Sequence, residues 1–350
     1  MSQLTPEQLG LRDAVRGLLT KRADSAAVRT SIETDVGYDT ELWRTLCEQI
    51  GVTALAIPEE YGGAGASLVE AHVVLDELGR TLTPSPMLGT LLACQLLLAL
   101  DDADAKQRLL PRIAVGEIVA VAWSDESGLG DGAVGLEGTR LLGTAHYVLD
   151  GDLADVLLVV TSDGVVEVDP ASPGVTRVHV PTMDVTRRLA TVTFDGASGI
   201  ELTGDAPAAL ARMRDVACVA LSADAVGGAA RILELTVEYS KMRVQFGRPI
   251  GSFQALKHRM ADLHVLVESA RSASYAAVAG AVHPSVAKAY CAEAFCTVAG
   301  EAIQLHGGIA ITWEHDAHLY FKRAHGDAQL FGQPAEHIAR MSRLAGIEDA

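Results

Sequence analysis

Aromatic residues are scarce in this chain, 5% of 350 positions, and cations are outnumbered: 28 lysines and arginines face 45 aspartates and glutamates, for a formal net charge of −17. The imbalance is sharpest between Val121 and Asp205, where fourteen carboxylates meet four arginines and no lysine, a net of −10. A nucleic-acid groove needs the opposite sign, and so does an anionic membrane surface. Nucleic acid and membrane are therefore both set aside as partners. No apolar run reaches the about 18 residues that a membrane span requires. Paired cysteines are missing too. Cys47, Cys94, Cys218, Cys291 and Cys296 are odd in number and include no C-x-x-C spacing. With no signal-peptide pattern, they read as reduced thiols in the core of a cytoplasmic protein.

What is present favours helices. Hydrophobic residues make up 49% of the chain, mostly Ala, Leu and Val rather than aromatics, and 350 residues leave room for two or three domains. Thr5-Pro6-Glu7-Gln8 is a helix start, with a Thr N-cap, Pro at the first helical position and Gln three residues after the cap. Further helices are expected near 40–50, 67–78, 86–100 and 105–115, the second of them opened by Ser67 with Glu70. From Glu117 the texture changes to short β-branched runs, at 119–123, 147–149, 156–161, 165–168, 175–180 and 190–194, separated by Gly, Asp, Pro and Ser. After Pro207 long helices return. The order implies an α+β protein: an N-terminal helical domain over 1–117, a middle antiparallel β domain over 118–206 and a C-terminal helical domain over 207–350. There is no βαβ alternation and no Rossmann fingerprint.

One stretch, 235–262, concentrates chemistry. Gly247 and Pro249 break the helical pattern, and around the break stand Arg243, Phe246 and Gln254. A guanidinium can hold a phosphate through two parallel hydrogen bonds, a phenyl ring can cover an aromatic system, and an amide can donate and accept. A helix–helix turn with a solvated Arg would read the same way. At Gln304-Leu305-His306-Gly307-Gly308, two glycines let backbone amides approach an anion, although a helix C-cap and turn fit equally. His306 reads as packed rather than catalytic. Pro58–Gly65 is Gly-rich but lacks a nucleotide loop's Lys-Ser/Thr tail. His315, His318 and His325 share no coherent ligand face, so no metal is expected. Arg187-Arg188 reads as an exposed β-turn.

The word R-x-Q-F-G-x-P-I-x-x-F-Q at Arg243–Gln254 resembles the signature of the acyl-CoA dehydrogenase family, FAD enzymes that oxidise the Cα–Cβ bond of acyl-CoA thioesters. P-E-E-Y-G-G-x-G at Pro58–Gly65 and Q-x-x-G-G at Gln304–Gly308 resemble two further family segments, and the resemblance covers nearly the whole chain. It implies the family fold, with a C-terminal four-helix bundle, FAD as cofactor, an acyl-CoA substrate and an electron-transfer flavoprotein as acceptor. In the family the first and last segments clasp the FAD of a neighbouring subunit. That role carries over to Arg243, Phe246, Gln254, Gln304, Gly307 and Gly308.

Against the same pattern, other positions depart. The family takes its catalytic carboxylate from a Y-E-G-T loop, whose position here is Leu330-Phe331-Gly332-Gln333, or from the helix leading to R-x-Q-F-G, where Ala217 stands beside Cys218. Neither position carries an acid, so no catalytic residue is assigned. In the flavin-facing G-x-K-x-W-I-T-N-G segment, Tyr147 stands in for Trp, while Leu149 lacks the hydroxyl. The T-E-P-x-A-G-S-D loop keeps a hydroxyl at Ser124 and its final acid, Asp131, and little else. Residues given to a neighbour's cofactor are retained, whereas those for the chain's own flavin are eroded. The expectation is one subunit of a two-chain dehydrogenase, similar to short actinobacterial enzymes of steroid side-chain degradation, paired with a paralogous subunit in a heterotetramer. A homotetrameric enzyme with a displaced base at Asp215, Glu314 or Glu336 is the alternative, with a flavin monooxygenase on the same fold and a flavin-free helical protein behind it.

Overall fold

A computed structural model of the chain describes residues 4–130 and 132–347. Asp131 of the 124–131 loop therefore lies outside the described residues. Six helices come first: α1 (Pro6–Arg22), α2 (Ser25–Ile32), α3 (Thr40–Thr45), α4 (Leu68–Thr81), α5 (Met87–Ala99) and α6 (Ala103–Ala114). Eight strands follow: β1 (Val119–Ala122), β2 (Val134–Glu137), β3 (Arg140–Leu149), β4 (Val156–Val160), β5 (Val165–Val168), β6 (Val175–Val180), β7 (Leu189–Ser198) and β8 (Ile200–Leu202). The chain then returns to helix in α7 (Ala206–Met242), makes a short hairpin of β9 (Val244–Gln245) and β10 (Arg248–Pro249), and ends in α8 (Gln254–Val278), α9 (Pro284–His306), α10 (Ala317–Gln329) and α11 (Pro334–Leu344).

The helix starts follow local chemistry. At α1 the Thr5 hydroxyl accepts from Gln8 N while the Gln8 side chain accepts from Thr5 N, a reciprocal capping box with Pro6 at the first position. Before α4, Ser67 N and Oγ both donate to Glu70 Oε2. Gln333 and Glu336 box the start of α11 in the same way. The expected helix at 40–50 is α3 continued by one π-helical turn over Leu46–Ile50.

Two compact units result. One comprises Met1–Arg29, His72–Thr83 and Cys218–Ala350; the other Thr30–Ala71 and Pro84–Ala217. Sequence order suggests cuts at 117 and 206, whereas packing groups most of α4 and α7 with the C-terminal helices. In that helical unit α4 crosses α7 at backbone contact: a Cβ on Gly227 would fall 1.9 Å from Asp76 O. Its core joins α7, α8, α9 and α10 through Ile232, Val267, Phe295, Val298 and Tyr320. α7 is long and apolar enough to cross a bilayer, but 94% of its most apolar window is buried inside the protein; Pro284–Ile311 passes the same test with 44% buried.

In the other unit the strands form two four-stranded sheets, ordered β1-β4-β5-β8 and β2-β3-β7-β6. They close on Ala122, Val134, Leu157, Val166, Val192 and Phe194. Sequence alone suggests an antiparallel domain. All pairs are antiparallel except β1 and β4, which run parallel, Val119 opposite Val156. Burial of all five residues of β4 explains why its sequence shows no alternation. β2 and β8 carry too few β-branched residues to be read as strands.

The helical unit contains a buried ion pair. Arg323 Nη1 donates to both carboxylate oxygens of Asp224, at 3.0 and 3.1 Å, and both side chains are nearly solvent-free. Removing one member leaves the other charge desolvated, so Arg323→Ala is expected to destabilise the chain by about 3–5 kcal/mol. Urea unfolding followed by circular dichroism measures this, and a loss under about 1 kcal/mol would contradict it.

Candidate functional site

Six of the eight cofactor-binding candidates fall in the helical unit and two in the β unit. α7 ends at Met242, and Arg243 N still reaches back to Tyr239 O at 2.9 Å. The chain then turns on Phe246 and Gly247, whose φ values of 54° and 74° lie in the left-handed region. Two such residues between paired strands give the hairpin turn with positive φ at both central positions. A non-glycine residue there stores about 1 kcal/mol of steric strain. Nonetheless Phe246 stands 91% exposed at the tip, with Met242 72% and Val244 53% exposed beside it. The only ring near it among the described residues is Phe253, edge-on at 6.1 Å, and Arg248 covers that ring at 4.0 Å. Arg243 is exposed and has no ion pair within the chain among the described residues. Gln254 is exposed as the first residue of α8. An unpaired guanidinium, a presented ring and a free amide thus share one projection.

Gln304 is exposed on the last turn of α9, and Gly307 and Gly308 follow it into open space. Gly307 has φ 68° and ψ −149°, a conformation essentially restricted to glycine, and it swings the chain out of the helix. This end of α9 is tied to the hairpin's root, because Tyr239 Oη donates to His306 O at 3.2 Å. The His306 ring lies between those of Tyr239 and His315, with centroids 4.5 and 4.4 Å away. His306 is buried, as its reading as a packed residue expects. The structure therefore brings Arg243 and Gly307 onto one support. Tyr239 and His315 are parts of that support that no sequence pattern indicated; the only available signal was a tyrosine one helical turn before Arg243.

The β-unit candidates present differently. Ser124 is buried and its hydroxyl donates to His146 O at 2.7 Å, so its proton is already committed. Tyr147 sits on a bulge, where the β3–β7 register shifts between Ala145 and Val148, with φ 54° and 42% exposure. Its hydroxyl donates to Glu126 O at 3.2 Å. Leu149, where a hydroxyl was sought, is buried. Arg214 donates to Leu129 O at 2.7 Å and stacks over Trp123, so the 124–130 loop is held by this unit's own side chains. Burial pushes the Asp150 carboxyl up to about 7 against the pull of Arg187. Arg188, one of the basic pair read as a β-turn, is bound by Asp152.

At the position of the loop base stands Phe331, between α10 and α11, with φ 56°. The loop is held by its main chain. Lys288, a buried amine on α9, donates to Asp327 O at 2.8 Å and Gly332 O at 3.1 Å, and His337 Nε2 lies 3.1 Å from Phe331 O. Burial lowers the Lys288 pKa. At the helix position, Ala217 and Cys218 are buried within α7. Of the displaced candidates, Glu336 already accepts from Gln333 N at 2.7 Å, Glu314 is exposed, and Asp215 is half-buried on α7.

Comparisons with known proteins show the family. Residues 5–117 match the profile described as acyl-CoA dehydrogenase, N-terminal domain, and 209–343 that described as acyl-CoA dehydrogenase, C-terminal domain. The chain is 46% identical over 346 residues to acyl-CoA dehydrogenase IpdE2 of Mycobacterium tuberculosis, covering 97% of this chain and 98% of that protein. Among solved structures it resembles the ChsE4-ChsE5 complex from Mycobacterium tuberculosis (TM-score 0.90, 28% identity, 99% of each chain). It also resembles a G363A variant of the Tcur3481-Tcur3483 steroid ACAD (TM-score 0.89, 30% identity, 97% of this chain and 98% of that one).

Because the Phe246 ring is strained and exposed, the chain's own fold should not need it. Phe246→Asn, which tolerates the left-handed turn, is expected to change the stability of the isolated chain by less than about 1 kcal/mol. A loss above about 2 kcal/mol in chemical unfolding would place the ring in this chain's own core instead.

Proposed function

The chain belongs to the acyl-CoA dehydrogenase family of FAD-dependent oxidoreductases, and from that premise we propose that it is the non-catalytic subunit of a two-chain acyl-CoA dehydrogenase. In this reading it completes the FAD site of a paralogous partner within a heterotetramer, and the substrate is a steroid-derived acyl-CoA. One observation carries the proposal. The groups suited to a neighbour's cofactor project unengaged from the helical unit, while the base position holds Phe331 and the 124–130 loop is closed by internal bonds. One solved structure of similar fold is the ChsE4-ChsE5 complex and another is a steroid ACAD, which supports unlike subunits and the steroid class.

The residues present fit the cofactor on the presented side. Arg243 would hold the pyrophosphate with charge-assisted, paired hydrogen bonds, worth about 1.5–3 kcal/mol. Gly307 and Gly308, with nothing within 4 Å of a Cβ built on either, leave their amides approachable by an anion. Phe246 would shield one aromatic face from water, and Gln254 and Gln304 would supply amide donors and acceptors to polar edges. The bound FAD supplies the hydride acceptor for α,β-dehydrogenation, with an electron-transfer flavoprotein receiving the electrons. The α-proton goes to a carboxylate, which in this reading belongs to the partner, since a phenyl ring at 331 cannot take it. On the chain's own flavin-facing side the fit fails: Leu149 offers no hydrogen bond and the Ser124 proton is given to His146 O.

Expression with and without the proposed paralogous subunit tests this. Flavin and acyl-CoA oxidation are expected only in the co-purified complex. Arg243→Ala should lower flavin content about tenfold or more while the complex still elutes intact from a sizing column. A lone chain carrying one FAD per polypeptide and oxidising acyl-CoA would overturn the proposal.

A further inference from the structure

The turn that presents Gly307 and Gly308 is held by two imidazoles whose hydrogen bonds define their protonation. His306 Nδ1 lies 2.8 Å from Ala302 O. A carbonyl only accepts, so Nδ1 carries the proton and Nε2 is bare. That Nε2 is buried and has no hydrogen-bond partner among the described residues. His315 has the opposite tautomer. Its Nδ1 accepts from Ala317 N at 3.1 Å, so Nδ1 must be bare. This bond caps α10, because the Asp316 side chain makes no cap bond of its own. Asp316 instead accepts from Arg29 Nη2 at 2.7 Å and Ser25 Oγ at 2.6 Å.

We propose that His306 and His315 are positioning residues that form a pH-sensitive latch on the 307–316 turn. Neutral, they hold Gly307 and Gly308 in the presenting conformation; protonation of either one releases it. A proton on His306 Nε2 creates a buried donor with no acceptor, its ring only 4.4 Å from a second imidazole. A proton on His315 Nδ1 abolishes the cap on Ala317. The other groups facing the pair are Tyr239 from α7, Arg29 from α2, and Asp316 from the turn; His318 and Lys322 of α10 lie against Trp313. Arg29 and Asp316 are paired, so their opposed effects on His315 partly cancel.

Burial lowers the pKa of both histidines; at His306 the neighbouring His315 adds to this against the pull of the Ala302 carbonyl, and at His315 Arg29 adds to it against the pull of Asp316. With the closed-state values depressed, the open turn binds protons that the closed turn excludes. Closure is therefore favoured above about pH 6.5, the ordinary histidine value, and lost as pH falls below it.

Amide hydrogen exchange of the full chain at pH 7.5 and 5.0, corrected for intrinsic exchange, reads the latch directly. Protection across 307–316 is expected to drop about tenfold or more at the lower pH, while α8 and the middle of α9 keep theirs. His315→Asn keeps an acceptor for Ala317 N, and His306→Phe keeps the stack. Neither titrates, so the double variant should lose the pH response. A flat wild-type profile, or an unchanged response in the double variant, overturns the latch. Its consequence for cofactor retention rests on the proposed function and is read separately, as flavin released from the co-purified complex over the same pH range. Turn opening without flavin release would overturn that consequence and count against the cofactor-clasping reading, while leaving the latch standing.

Discussion

The helical unit depends on the continuous burial of α7. A 37-residue helix extends about 55 Å at 1.5 Å per residue. Here its middle is enclosed by α4, α8, α9 and α10, with α4 seated at backbone distance over Gly227. Such a helix has no freedom to rotate about its axis without exposing Ile232 or clashing at Gly227. Its end is therefore fixed in azimuth, and so is the direction in which Arg243 and the β9–β10 hairpin leave it. The Tyr239 hydroxyl then fixes the end of α9 against that same root. A strained, solvent-facing phenyl ring at the tip is tolerable because a rigid base orients it.

The two units differ in how their polar groups are satisfied. In the β unit, hydroxyl protons and guanidinium donors are taken up by nearby carbonyls: Ser124 by His146, Tyr147 by Glu126, Arg214 by Leu129. On the projection from the helical unit, Arg243, Gln254 and Gln304 face solvent. Unsatisfied donors are affordable in water and become valuable only when a partner desolvates them.

Much of this was legible in the sequence where the determining contacts are local. The Thr5–Gln8 box, the β-branched runs at 165–168 and 175–180 and the break at Gly247 and Pro249 each depend on neighbours a few residues away. Legibility ended where pairing is nonlocal. Nothing in Val119–Ala122 announces that it runs parallel to Val156–Val160, since both strands are uniformly apolar. The short strands at 134–137 and 200–202 owe their form to the neighbours they pair with. At the candidate site the retained family segments pointed to Arg243, Phe246 and Gly307 as candidates. It was silent on the Tyr239–His306–His315 stack, whose members are brought together from positions up to 76 residues apart by the tertiary fold.

The grip of Lys288 on the loop at Phe331 has a further meaning. The buried amine holds carbonyl oxygens, which every residue type supplies, and touches no side chain of the loop through these bonds. These bonds do not depend on which side chain stands at 331, so they would survive a substitution there and go on fixing the path of the main chain between α10 and α11.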